Sequence, residues 1–75
     1  MKNPDQKKFN VELGTVIRKS REEQKISRLD LAEISNVNEK YIGKIERGES
    51  SPSCFVLKKL ALGLNIQLSS LLNGF

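Results

Sequence analysis

Three charged residues lie close together on one face of a predicted helix, namely Glu39, Lys40 and Lys44. Side chains four positions apart share a helix face, whereas the apolar residues Ile42 and Ile45 fall on the other side. A lysine can donate to O6 and N7 of guanine, and a glutamate can accept from N4 of cytosine. The spacing therefore favours a helix whose polar front contacts base edges, the alternative being an ordinary solvated face.

Two neighbouring positions on this front need their own explanation. Asn38 precedes the helix and is a good N-cap. Gly43 lies in mid-helix, where glycine costs about 1 kcal/mol relative to alanine. Either a close approach of the helix backbone to DNA or simple tolerance of a surface glycine explains it.

A helical pair around a tight turn must hold this front in place. Ser27 is a good N-cap for the first of the two helices, and Asp30 adds an acid at the capping-box position. Ser35-Asn36 supplies the turn, and Gly48 is a suitable C-cap for the second helix. The shared core is formed by apolar residues at helical spacing, which are Leu31, Ala32, Val37, Ile42 and Ile45.

Three more helices complete an all-α fold of five short helices. The recurrence of Phe9, Leu13, Val16 and Ile17 predicts a first helix from about Asn10 to about Gln24. Residues 1–8 are expected to form a flexible N-terminal arm, and residues 9–75 the domain. A fourth helix follows the N-cap Ser53, with an apolar face of Phe55, Val56, Leu57, Leu60, Ala61 and Leu64. A short fifth helix contains Leu68, Leu71 and Leu72.

The composition disfavours several classes of function. The chain has no histidine and a single cysteine, Cys54, so we expect no disulfide, no metal site, no cofactor and a packed thiol. No evident pocket or paired carboxylate points to an enzyme or to a small-molecule ligand. No apolar run is long enough to span a bilayer, so we expect a cytoplasmic protein without a membrane partner.

The net charge of +4 favours a polyanionic partner, but it is unevenly distributed. Residues 29–49 contain three Lys or Arg against five Asp or Glu, so the segment that includes the proposed reading helix has a charge of −2. Either some of these acids are used inside the fold, or the interpretation of this helix is wrong.

Four segments between Leu13 and Leu72, about four-fifths of the chain, resemble a known family: LGTVIRKSRE, SRLDLAEISNVN, YIGKIERGESSPS and LKKLALGLNIQLSSLL. The family is the Cro/phage-repressor-like helix-turn-helix domain, also called the xenobiotic-response-element type, which has the lambda-repressor-like fold. The run SNVNEKYIGKIERG is also similar to the small controller proteins of restriction–modification systems. The resemblance implies a sequence-specific transcriptional regulator that binds double-stranded DNA through the third helix in the major groove.

The resemblance also implies roles for particular residues. Arg28 stands where the family usually has glutamine, so it keeps a phosphate contact but loses the amide that buttresses the reading helix. Glu46 is implied to pair with Arg21 in an internal salt bridge. The full set of implied DNA contacts is Arg28, Asn38, Glu39, Lys40, Tyr41, Gly43, Lys44, Ser50, Ser51 and Ser53. Of these, Tyr41 and the three serines are expected at phosphates.

Homodimerisation on a near-palindromic operator is expected, because such domains place two reading helices in successive major grooves. The C-terminal apolar residues exceed what a small core obviously consumes, and we expect them to form the dimer surface: Leu68, Leu71, Leu72 and Phe75. The alternative is an antitoxin or protein-interaction module with secondary DNA binding. No long additional segment for a protein partner is evident, which disfavours that alternative.

Overall fold

The computed structural model describes residues 4–72 of the chain and, of Pro4, only the backbone. Five α-helices follow one another: α1 (Pro4–Glu23), α2 (Arg28–Ser35), α3 (Glu39–Glu46), α4 (Cys54–Leu64) and α5 (Leu68–Leu71). No strand occurs between residues 4 and 72. The prediction of an all-α fold with five helices is confirmed, although α1 is 20 residues long and is not a short helix.

One apolar core joins all five helices. Its fully buried residues include Leu13 and Ile17 of α1, Ile45 of α3, Leu60 of α4 and Leu71 of α5. The core predicted for the helical pair is confirmed, since its five apolar residues are all buried: Leu31, Ala32, Val37, Ile42 and Ile45. The helical pair α2 and α3 therefore packs against a core to which α1, α4 and α5 also contribute.

The helix ends follow the capping chemistry of the sequence. Ser27 and Asp30 form a complete capping box, and Asn36 ends α2 with a φ of 57°. The side-chain oxygens of Asn38 and Ser53 accept from free amides at the starts of α3 and α4. Gly48, with a φ of 76°, follows α3. Each of these predicted stops and starts is confirmed.

The start of α1 was predicted too late. The helix begins at Pro4 rather than near Asn10, so residues 4–8 of the expected arm are helical. Proline suits a first helical position because the missing N–H would have no helical partner there. The side chains of Gln6 and Asn10 also donate to the hydroxyl of Ser51, which ties this turn of α1 to the loop after α3.

Two side chains of α4 that were predicted to be packed are exposed instead. Phe55 is 69% exposed, although it was assigned to the apolar face, and its ring lies 5.2 Å from the Lys59 ammonium. The thiol-bearing residue Cys54 is also exposed, so the prediction of a packed thiol is wrong. Both residues lie in the first turn of α4, where the rest of the fold covers only the opposite side.

The expected dimer surface divides into buried and exposed residues. Leu71 is fully buried in the core of its own chain, so it offers no surface to a second copy and that assignment was wrong. Leu68 is half-buried against the same core, and Leu72 is 37% exposed. Phe75 lies outside the described residues.

None of the helices described is long and apolar enough to cross a membrane.

The contact between α1 and α3 sets the position of the reading helix, and it depends on Gly14. A Cβ atom at this glycine would collide with the backbone carbonyl oxygens of Ile45 and Glu46. The absence of a side chain thus lets the backbone of α1 approach the last turn of α3 directly. Together with the buried Ile17, this contact holds α3 from behind.

Candidate nucleic-acid interface

Helix α3 has a buried back and an exposed front. Ile42 and Ile45 are fully buried, whereas Lys40 and Lys44 are exposed. Asn38 accepts from the backbone N–H groups of Lys40 at 2.8 Å and of Tyr41 at 3.3 Å, which fixes the first turn. The predicted outward faces are confirmed, and the front is presented on a helix whose back cannot move without opening the core.

A shallow groove crosses the front of α3. Six residues line it: Arg28, Glu39, Lys40, Gly43, Lys44 and Arg47. Five of these, all but Arg47, were predicted as contact residues, and the structure brings them together from α2 and α3. The groove contains four cations and a single acid, Glu39. Such a surface favours an anionic partner that also offers hydrogen-bond donors and acceptors.

Behind the front, one buried carboxylate joins three helices. Glu46, whose side chain is 2% exposed, accepts from Nε of Arg21 at 2.8 Å and from its Nη2 at 3.2 Å. Its Oε1 also accepts from Nε of Arg28 at 3.2 Å. The hydrogen bond to Glu46 raises the pKa of the Arg21 guanidinium above its ordinary value. The predicted pairing of Arg21 with Glu46 is confirmed.

Arg28 braces the reading helix, contrary to what its sequence position implied. Replacing the usual glutamine was expected to remove the buttress between α2 and α3, but the ion pair with Glu46 supplies one. A guanidinium reaches farther than an amide and carries several donors. Arg28 therefore holds α2 to α3 with Nε and leaves its other nitrogens facing the groove.

Tyr41 and the three serines lie away from the groove, on other parts of the surface. Tyr41 is half-buried against the core. The hydroxyl of Ser51 accepts from Gln6 and exchanges hydrogen bonds with the buried Asn10, and the hydroxyl of Ser53 caps α4 at the amide of Val56. The hydroxyls of Ser51 and Ser53 are thus used inside the fold. Their contact with phosphate, like that of Tyr41 and Ser50, stays a prediction.

Two residues of this region were not among the predicted contacts. Arg47 lines the groove, with Nε and Nη2 paired to Glu49 at 3.1 and 3.3 Å. These bonds hold the pKa of the Glu49 carboxyl below its ordinary value. Asn10 is 1% exposed and anchors Ser51. Arg47 follows Lys40 and Lys44 at helical spacing, which is a signal that could have found it, whereas nothing in the sequence pattern marks Asn10.

Comparison with known proteins identifies the arrangement of α2 and α3. A family model described as Helix-turn-helix, HTH_3, matches residues 17–71 of the chain. This chain belongs to the HTH_3 helix-turn-helix family. The resemblance that the sequence suggested is thereby confirmed, and α2 and α3 are the two helices that give the HTH_3 family its name.

A curated relative and a solved structure show how similar this chain is to known proteins. The HTH-type transcriptional regulator SutR of Escherichia coli is 38% identical over 61 residues, which are 81% of this chain and 34% of SutR. The crystal structure of the restriction-modification controller protein C.AhdI of Aeromonas hydrophila is 32% identical, with a TM-score of 0.81 over 83% of this chain and 94% of that protein. The chain therefore spans about a third of SutR but nearly all of C.AhdI.

A second solved structure contains DNA. The restriction-modification controller protein C.Esp1396I, as a tetramer in complex with its natural 35 base-pair operator, is 26% identical to this chain. The TM-score is 0.76, and the match covers 87% of this chain and 96% of that protein. A protein of the same fold and similar extent thus binds an operator.

Proposed function

We propose that this chain is a sequence-specific DNA-binding transcriptional regulator that inserts α3 into the major groove. The observation that carries the proposal is the exposed pair Lys40 and Lys44 on a helix whose back is fixed in the core. A rigid helix with donors on its front can read guanine edges, and Glu39 can accept from cytosine. Membership in the HTH_3 family supports this function.

The regulator acts as a homodimer on a near-palindromic operator. One copy of α3 reads only a few base pairs, and a second copy related by two-fold symmetry doubles the site. Exposed apolar residues are available for such a contact: Phe55 is 69% exposed, Leu62 71% and Leu72 37%. The assembly of C.Esp1396I on its operator supports the expectation of more than one copy on DNA.

The role as a restriction–modification controller is the narrower form of the proposal. It is supported by the likeness in sequence and fold to C.AhdI, a restriction-modification controller protein. In this form the protein needs only double-stranded DNA and its own second copy as partners, without a cofactor. Control then arises from protein concentration and competition for operators.

Selection of bound duplexes from a random pool tests the proposal directly. We expect a near-palindromic consensus, and binding of that consensus should weaken with salt at a log–log slope of about −0.9 per phosphate neutralised. A pool that yields no consensus, together with affinity independent of salt, would refute sequence-specific DNA binding.

Single substitutions then separate reading from general attraction. Lys44→Ala should relax the preference at one base pair by about 1–3 kcal/mol, whereas Arg28→Ala should weaken binding to all sequences. Lys58→Ala removes an equal charge from the exposed side of α4 and serves as the control. Equal losses for Lys44→Ala and Lys58→Ala on every sequence would show that α3 does not read bases.

The dimer requires its own measurement. Sedimentation equilibrium of the chain should give twice the monomer mass, and the double variant Phe55→Ser/Leu62→Ser should shift the equilibrium toward monomer. Ile34→Ser removes an apolar side chain that is 60% exposed on α2 and serves as the control. A dimer unaffected by the double variant but dissociated by Ile34→Ser would place the contact on α2.

A further inference from the structure

Two arginine side chains cover the middle of α3. Gly43 lies on the outward side of the helix but is buried. A Cβ atom at this position would lie 3.1 Å from Nη1 of Arg47 and 3.4 Å from Nη1 of Arg28. The two guanidinium groups, which come from the start of α2 and from the residue after α3, therefore converge above the same backbone carbon.

Each guanidinium is anchored through its other nitrogens. Arg28 donates from Nε to the buried Glu46 at 3.2 Å, and Arg47 donates from Nε and Nη2 to Glu49 at 3.1 and 3.3 Å. Neither Nη1 has a hydrogen-bond partner among residues 5–72 in the structure. Two anchored cations thus place their Nη1 atoms 3.1 and 3.4 Å from the same point above Gly43, a residue that has no side chain.

We propose that Arg28 and Arg47 form a clamp for one backbone phosphate of DNA, with Gly43 as its floor. The proposal rests on the DNA binding proposed above and adds a site to it. Charge-assisted bonds between guanidinium and phosphate are short and strong, and a tetrahedral phosphate can offer separate oxygens to donors on two sides. A guanine edge, in contrast, is flat and is satisfied by a single bidentate arginine.

The clamp also explains the glycine in mid-helix. A methyl group at position 43 would stand at van der Waals contact or closer from both Nη1 atoms and would occupy the space that an oxygen needs. Alanine would otherwise favour the helix. In the clamp, Gly43 leaves room for the anion at the expense of helix stability, and this role differs from both a tolerated surface glycine and a direct approach of its backbone to DNA.

The variant Gly43→Ala separates binding from folding. Because alanine favours a helix and the displaced atoms are ends of flexible side chains, the melting temperature should stay the same or rise by up to about 4–8 °C. The Kd for the selected operator should rise about tenfold, equally on operators with single base changes. The log–log salt slope should fall by about 1, as expected for one lost phosphate contact.

Arg47→Gln should reproduce this uniform loss, and the double variant Gly43→Ala/Arg47→Gln should bind about as well as either single variant. Arg18→Gln removes an exposed arginine of α1 that does not line the groove and is the matched control. A scan of operators with one neutral methylphosphonate each should reveal one position that weakens the unaltered protein but not Arg47→Gln.

Three results would overturn the clamp. First, Gly43→Ala could bind the operator as well as the unaltered chain. Second, its loss of affinity could be confined to operators changed at one base pair. Third, no methylphosphonate position could weaken the unaltered chain without also weakening Arg47→Gln. In each case Lys44→Ala still reports on the proposed reading of bases, so the clamp can fail while that function stands. If the unaltered chain selects no sequence and ignores salt, both proposals fail together.

Discussion

The buried carboxylate of Glu46 should dominate the stability of this domain. Its two oxygens accept three hydrogen bonds from Arg21 and Arg28 while the side chain is only 2% exposed. Glu46→Gln keeps the shape but replaces one acceptor oxygen by an NH2 group that faces guanidinium donors. Arg21, whose side chain is 11% exposed, would then keep only the exposed Glu22, 4.0 Å away, as an ionic partner.

Removing one partner of such a pair costs about 3–5 kcal/mol. We expect the lower end for Glu46→Gln, about 3 kcal/mol, because the remaining amide oxygen still accepts one bond. For a domain of this size, that loss corresponds to a fall in melting temperature of well over ~10 °C. Arg28→Gln should cost about 1 kcal/mol or less, since the side chain of Arg28 is 43% exposed and Arg21 still compensates the carboxylate.

Urea unfolding followed by far-UV circular dichroism measures these differences. Glu49→Gln is a matched control, because Glu49 pairs with Arg47 at a similar distance but on an exposed surface. The double variant Arg21→Met/Glu46→Leu removes both charges and should lie within about 1 kcal/mol of the unaltered chain. If Glu46→Gln costs no more than Glu49→Gln, or if the double variant is as unstable as Glu46→Gln, the reasoning about this buried pair is refuted.

Three further predictions concern packing and pairing. Gly14→Ala should destabilise the domain by about 1–3 kcal/mol in urea unfolding, because the new methyl group meets backbone carbonyls of α3; a gain in stability would contradict the close approach. Leu71→Ala should cost about 2–5 kcal/mol, and Leu72→Ala much less at protein concentrations where the chain is monomeric, because only Leu71 is fully buried. NMR titration should give Glu49 a pKa below its ordinary value that returns to normal in Arg47→Gln. Any stabilisation from this pair is complete above the ordinary pKa of glutamate and is lost as the pH falls through the lowered value.

Local chemistry made the helix boundaries near the candidate site predictable. The caps at Ser27, Asn38 and Ser53 and the left-handed turn at Asn36 each depend on a few neighbouring atoms. Such contacts are decided within one turn of chain, so residue type and spacing are sufficient to find them. The outward direction of Lys40 and Lys44 follows from the same local periodicity.

Contacts between parts of the chain that are distant in sequence determine the features that the sequence pattern did not predict. Helix α4 is apolar around most of its circumference, so the pattern does not say whether Phe55 or Leu60 faces the core. The unpredicted first turn of α1 is tied by a hydrogen bond from Gln6 to Ser51, which are 45 positions apart. The buttress from Arg28 depends on the reach of its side chain to Glu46 across two helices.

The charge of the reading segment illustrates the same limit. Residues 29–49 have a net charge of −2, which taken alone disfavours DNA binding. Two of the five acids have arginine partners. Glu46 forms ion pairs with Arg21 and Arg28, which lie outside the segment, and Glu49 forms an ion pair with Arg47. Because Arg21 and Arg28 lie outside residues 29–49, the sum counts Glu46 without its partners, whereas Glu49 and Arg47 both lie inside the segment and cancel.

The charge that DNA would meet is set by what remains on the front of α3. There, Lys40 and Lys44 stand beside the single acid Glu39, and the arginines at the groove direct N–H groups outward. The buried acid thus has two effects: it fixes α3 to the other helices, and it holds a cation at the edge of the groove. Because the acids hold the arginines in position instead of repelling the ligand, the negative sum for this segment is compatible with a surface that attracts phosphate.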